Sequence, residues 1–151
     1  MDSTESVGSL PKAFGRYRVE KVLGEGAMGM VYLARDSKLD RPVALKVPKF
    51  DDDPEMMERF WREARSAATL LHRNICPVHD IGDIDGDHYI SMAYIAGRPL
   101  SALIDRSRPQ SQRSVSLIVR KLALALETAH QAGVIHRDLK PANVMLDQQN
   151  E

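Results

Sequence analysis

The chain changes its hydrophobic period part-way along, and that change limits what it can fold into more than any other feature. Up to about residue 96 the apolar residues fall in short β-type runs, and after Gly97 they recur at helical spacing. Tyr17, Val19, Val22 and Leu23 form one run, residues 30–34 (MVYLA) a second and residues 42–47 (PVALKV) a third. Residues 78–81 and 88–94 read as two more, split by the turn-forming stretch GDIDGD at 82–87. Between the third and fourth runs, Asp53 and Pro54 carry the chemistry of a helix start, because Asp caps free N–H groups and Pro fits the first helical position. Met57, Phe60, Ala64, Ala67, Ala68 and Leu71 then recur three and four residues apart on one face, with Glu63 at its edge. The pattern predicts an α+β fold whose first part is a five-stranded antiparallel sheet with one helix.

Beyond Gly97, residues 100–104 suggest a short helix and residues 106–113 a polar link. Val115, Ile118, Leu122, Ala125 and Ala129 make a long amphipathic helix that Gly133 is placed to stop. A polar loop at 136–143 leads into a strand at 144–146. Residues 1–13 (MDSTESVGSLPKA) are rich in Ser, Gly and Pro and show no apolar period, which reads as a flexible leader. The expected organisation is therefore a leader at 1–13, a sheet-rich domain at 14–96 and the start of a helical domain at 97–151.

Composition removes several function classes. Basic and acidic side chains balance at 21 each, so bulk charge gives no face for nucleic acid or anionic lipid. Cys76 is the one cysteine, which excludes an internal disulfide or a zinc site and fits a reducing compartment. No apolar run approaches the roughly 18 residues of a membrane helix, and the first thirteen residues lack a signal peptide's basic and apolar regions. A cytoplasmic location is expected, with a membrane anchor further downstream in a longer protein left open. Nothing in the sequence sets the oligomeric state.

Three motifs carry chemistry. Gly24, Gly26 and Gly29 spell G-x-G-x-x-G, a weak signal by itself. A dinucleotide site needs a helix after the third glycine and an acidic residue about 20 positions on, but here a strand follows and the residue near that distance is Lys46. A Walker A loop needs Lys then Ser or Thr, and Gly29 is followed by Met30 and Val31. What remains is a glycine-rich hairpin whose backbone N–H groups are open to phosphate oxygens, or a plain flexible turn. Lys46 lies inside an otherwise apolar strand and Glu63 borders an apolar helix face, which suggests that they pair, since desolvated charges are costly alone. An accidental surface ion pair is the blander alternative. The third motif, HRDLKPAN at 136–143, places Asp138 and Asn143 five residues apart with Lys140 between them. Phosphoryl transfer needs that set: a proton acceptor, an oxygen ligand for Mg²⁺ and a cation on the transferred group.

Together GEGAMGMV, VALK, the helical Glu63 and HRDLKPAN resemble the N-terminal part of a eukaryotic-like serine/threonine protein kinase, and GEGAMGMVYLARD resembles bacterial members. The resemblance covers about residues 14–151. It implies a protein-kinase-like small lobe followed by the first helices and catalytic loop of a helical lobe. It implies ATP and Mg²⁺ as cofactors and a protein with a Ser or Thr acceptor as substrate. On the matching positions, Leu23, Gly24, Gly26, Gly29 and Val31 correspond to the phosphate-covering loop and the first wall of the adenine pocket, and Ala44 to the second wall. Lys46 corresponds to the lysine on the α- and β-phosphates and Glu63 to its ion-pair partner. Met92 falls at the gatekeeper, Ala93, Tyr94 and Ile95 at the hinge, and Met145 at the floor under adenine. Asp138 corresponds to the catalytic base, Lys140 to the lysine on the γ-phosphate and Asn143 to a Mg²⁺ ligand. Lys140 favours Ser or Thr acceptors, and Arg137 before Asp138 resembles kinases regulated on their activation loop.

Two departures qualify the resemblance. Arg73 stands where the family's H-P-N turn has proline, and the chain reaches Glu151 before any D-F-G. The first reading is therefore the front portion of an active kinase, inactive as this stretch alone, with a D-F-G some ten residues further on. The second is a non-catalytic nucleotide-binding or interaction module of pseudokinase type.

Overall fold

The computed structural model describes residues 6–26, 29–50, 53–105 and 107–151. In chain order the strands are β1 (Ser6–Val7), β2 (Leu10–Pro11), β3 (Ala13–Phe14), β4 (Tyr17–Gly26), β5 (Gly29–Asp36) and β6 (Arg41–Pro48). Helix α1 (Pro54–Ala68) follows, then β7 (Val78–Ile84), β8 (Asp87–Ala93), β9 (Gly97–Pro99), helix α2 (Gln112–Gln131) and β10 (Met145–Asp147). Packing divides the chain into two units, one of Met1–Ala68 with Pro77–Tyr94 and one of Thr69–Cys76 with Ile95–Glu151. Residues 69–76, expected in the first domain, pack with the second unit.

In the first unit, period-2 alternation builds an antiparallel sheet in the order β3-β4-β5-β6-β8-β7. Its five long strands are those expected, and two-residue β3 is added at one edge. Along β5, Met30, Tyr32, Ala34 and Asp36 are buried while Val31, Leu33 and Arg35 stay partly exposed, so the two faces are unequal. The first face gathers Tyr17, Val19, Met30, Tyr32, Val43, Leu45 and Val47 into one apolar core. The other carries Ile90, against which Phe60 and Ala64 of α1 are buried. Burying a phenylalanine is worth about 1.5–3 kcal/mol, enough to hold a helix that propensity alone would leave marginal. Asp53 caps α1 as expected, its Oδ1 accepting from the N–H groups of Glu55 at 3.0 Å and Met56 at 3.3 Å.

Two readings of the first unit are corrected. Residues 6–13 are not a flexible leader: β1 and β2 form a hairpin, and Leu10 is only 1% exposed in the core. Their apolar residues are too few to show a period, and their burial arises from distant strands. Residues 1–5 of that expectation lie outside the described residues. The expected six-residue turn at 82–87 shrinks to Asp85 and Gly86, both at positive φ (54° and 88°), as a tight two-residue hairpin requires. Gly82, read as a turn glycine, instead lies in β7, where an added Cβ would come within 2.9 Å of the Tyr89 hydroxyl.

In the second unit, α2 begins three residues earlier than the apolar stripe because Ser111 Oγ caps it, accepting from the Ser114 N–H at 3.1 Å. Gly133 at φ +76° ends it: its N–H donates to His130 O and that of Val134 to Ala129 O, each at 2.9 Å. The expected short helix is a single 3₁₀ turn at Leu100–Leu103. Strand β9, not foreseen, pairs antiparallel with β10, so closely that a Cβ on Gly97 would overlap the Leu146 carbonyl.

Candidate active site

Each unit assembles one part of the expected site. In the first, β4 and β5 pair down to Gly26 opposite Gly29, so the glycines form the end of a hairpin, with Ala27 and Met28 outside the described residues. Leu23 sits at an irregularity between Val22 and Gly24 and is 40% exposed. The three glycines differ physically. Gly29 has φ +123°, and a Cβ there would come within 2.6 Å of Pro48 Cα, so the fold itself demands glycine. Around Gly24 and Gly26 no atom of the described residues lies within 4 Å of an added Cβ.

Register decides where Lys46 points. Directly paired residues of antiparallel strands share a face. Val31 pairs with Lys46, Ala44 with Met92 and Lys46 with Ile90. Ile90 and Met92 belong to the face on which α1 packs. Lys46 therefore stands on that inner face beside Val31 and Ala44, not on the outer one, and is half-buried. The expected ion pair with Glu63 is not formed: among the described residues no ion pair within 4.0 Å joins them. Helix α1 turns Phe60 and Ala64 inward and leaves Glu63 exposed. Ala93 and Tyr94 close the first unit and Ile95 opens the second.

The second unit gathers Asp138, Lys140 and Asn143 in one exposed loop. Arg137 adopts φ +64°, an unfavourable conformation for a branchless long side chain that turns the backbone sharply just before Asp138. A 3₁₀ turn at Pro141–Asn143 brings Asn143 back, so that its Nδ2 donates to Asp138 O at 2.8 Å and to Asp138 Oδ2 at 2.9 Å. Lys140 Nζ lies 3.2 Å from the same Oδ2. His136, which the sequence reading passed over, accepts the Asp138 N–H on Nδ1 at 3.3 Å and steadies the loop. Its position two residues before Asp138 was the available signal. Met145 begins β10 opposite Pro99 and is 40% exposed.

These contacts set the chemistry of the loop. Hydrogen bonds from Lys140 and then Asn143 hold the Asp138 carboxyl below the usual aspartate range. A depressed folded-state pKa favours the ionised form fully above the unfolded-state value, an effect lost only as pH falls through the lower one, so the carboxylate stays charged across the neutral range. Lys140→Ala removes the leading donor, and the Asp138 titration midpoint, followed through its carboxyl carbon by NMR, is expected to rise toward the ordinary value. An unmoved midpoint would refute this account. With Nδ2 of Asn143 engaged by Asp138, its Oδ1 accepts no hydrogen bond from the described residues. No cluster of three or more His, Cys, Asp or Glu able to hold a metal occurs among the described residues. A hard cation here would draw on Asn143 together with oxygens from phosphate and water.

A family model described as the protein kinase domain matches residues 17–151. The chain belongs to the protein kinase family. It is 42% identical over 135 residues to the serine/threonine-protein kinase PrkC of Bacillus subtilis, covering 88% of this chain and 21% of that protein. It is 44% identical over 135 residues to the serine/threonine-protein kinase pkn3 of Myxococcus xanthus, covering 87% of this chain and 25% of that protein. The crystal structure of the PknI kinase domain of Mycobacterium tuberculosis superposes with a TM-score of 0.80 at 39% identity, covering 91% of this chain and 57% of that one. The chain thus spans about a fifth to a quarter of the curated kinases it matches and a little over half of the solved kinase domain. No helix among the described residues is long and apolar enough to cross a membrane.

Proposed function

We propose that the protein to which these residues belong transfers the γ-phosphoryl group of ATP to serine or threonine hydroxyls of proteins, with Mg²⁺. The observation that carries this reading is the convergence of Asp138, Lys140 and Asn143 in one loop of a kinase-family chain. Asp138 accepts the hydroxyl proton as the oxygen attacks the γ-phosphorus and ADP leaves. Lys140 offsets charge on the transferred group, and Asn143 offers Oδ1 to Mg²⁺, which neutralises phosphate charge when bound. Lys46 meets the α- and β-phosphates, Leu23 and Val31 with Ala44 and Met145 line the adenine site, and Met92, Ala93, Tyr94 and Ile95 border it. The lack of described neighbours around Gly24 and Gly26 supports the phosphate assignment. Glycine inside a strand costs about 0.5–1 kcal/mol relative to alanine. Among the described residues nothing crowds these two positions, whereas a polyphosphate lying on the backbone asks for glycine there. An ATP-dependent reaction and a single cysteine fit the cytoplasm.

A second reading is a nucleotide-binding module without transfer. A single assay separates the two. The chain and its full-length parent are incubated with Mg²⁺ and γ-labelled ATP, and label is sought on Ser or Thr. Transfer by the parent sustains the first reading, and nucleotide binding without transfer in both proteins sustains the second.

A further inference from the structure

The family match begins at residue 17, yet the described chain begins its packing at residue 7. Val7 packs against the outer-face core, Leu10 is 1% and Phe14 2% exposed within it, and the Phe14 ring meets Tyr89 edge-on at 5.8 Å. The Lys12 carbonyl accepts from the Val19 N–H at 2.8 Å, fastening the segment to the start of β4. Its turn falls on β4 and β5. Gly8, at φ +62°, passes so close that a Cβ would lie 3.1 Å from Val22, 3.2 Å from Tyr32 and 3.3 Å from Met30. Ser9, itself exposed, donates to the Tyr32 hydroxyl oxygen at 2.8 Å and holds its Oγ 3.6 Å from Met30 Sδ. Tyr32 is fully buried and donates to the same sulfur at 3.2 Å. The residues gripped here are particular ones: Val22 stands two before Gly24, and Met30 follows Gly29 directly.

We propose that residues 6–14 form a strap that positions the glycine hairpin from the outer face of the sheet. Gly24, Gly26 and Gly29 add no side chains with which to hold the hairpin's direction, and the ion pair of Glu25 with Lys49 beside them is exposed and long, at 3.8 Å. Packing at Val22, Met30 and Tyr32 supplies that restraint from the side away from Lys46. Leu10 and Ser9 are then positioning residues, Leu10 as the buried anchor and Ser9 as the latch. The proposal rests on the phosphate-binding reading only where nucleotide affinity is concerned.

Hydrogen exchange by mass spectrometry tests it in the intact chain, comparing wild type with Leu10→Ala, Leu10→Met and Ser9→Ala. Leu10→Ala is expected to speed exchange of the β4 and β5 amides about tenfold or more, with β7, β8 and α2 nearly unmoved, and Leu10→Met to restore it. Mg·ATP affinity is expected to fall about threefold or more in Leu10→Ala and recover in Leu10→Met. Unchanged exchange in β4 and β5, or acceleration spread evenly over every strand, overturns the strap as a positioning element. Should Leu10→Ala fail to fold, Ser9→Ala decides, with faster β4–β5 exchange supporting the strap and unchanged exchange overturning it. If wild type binds no Mg·ATP, the phosphoryl-transfer reading fails while the exchange comparison still judges the strap.

Discussion

Lys46→Met in the full-length kinase is expected to lower kcat/KM for ATP about 10²- to 10³-fold, the range typical of deleting one preorganised charge partner of a reacting group. That corresponds to about 2.7–4 kcal/mol of lost transition-state stabilisation. The reason lies in the register of β6. Lys46 occupies the inner face beside Val31, Ala44 and Ile90 and is half-buried, which suits an apolar stem lying along that face with the ammonium reaching beyond it. Methionine keeps the stem and removes the charge, and the sheet is expected to melt within a few degrees of wild type. Initial rates with γ-labelled ATP, set beside a thermal melt, check both halves. Turnover within about threefold of wild type would remove Lys46 from the reaction.

Asp138→Asn is expected to lower kcat about 10²- to 10⁴-fold, the usual contribution of a general base, while leaving KM for ATP within about twofold. Asparagine preserves the shape and can still accept from Asn143 and Lys140, but it cannot take the proton of an incoming hydroxyl. The side chain is exposed, so little stability rides on its charge. Steady-state kinetics against ATP and against a protein acceptor separate the two parameters. Equal losses of nucleotide binding and rate would turn Asp138 into a structural residue.

What was legible in the sequence was what short-range patterns encode. β5 could be read because residues 30–34 (MVYLA) form a short apolar run directly after the glycines, and α1 because Asp53 caps it four residues before its stripe begins. The loop of Asp138, Lys140 and Asn143 was legible for the same reason: its three groups lie within six residues, and one 3₁₀ turn suffices to bring them together. Features set by distant partners stayed hidden. Leu10 is buried in a core made with residues of distant strands, and β9 has only three residues and is a strand solely because β10 reaches it. The apolar stripe of α1 did not tell on which side Glu63 falls: Phe60 and Ala64 take the sheet side while Glu63, beside them, is exposed.

The glycines fall into two kinds, and the difference would leave a trace in gene histories. Gly29 and Gly97 are demanded by neighbouring backbone, whereas no described residue crowds Gly24 or Gly26. In a duplicated copy released from selection on catalysis but still kept as a folded protein, the second pair is free to drift while the first stays locked. The state of those four codons would therefore tell a retired kinase from one still at work.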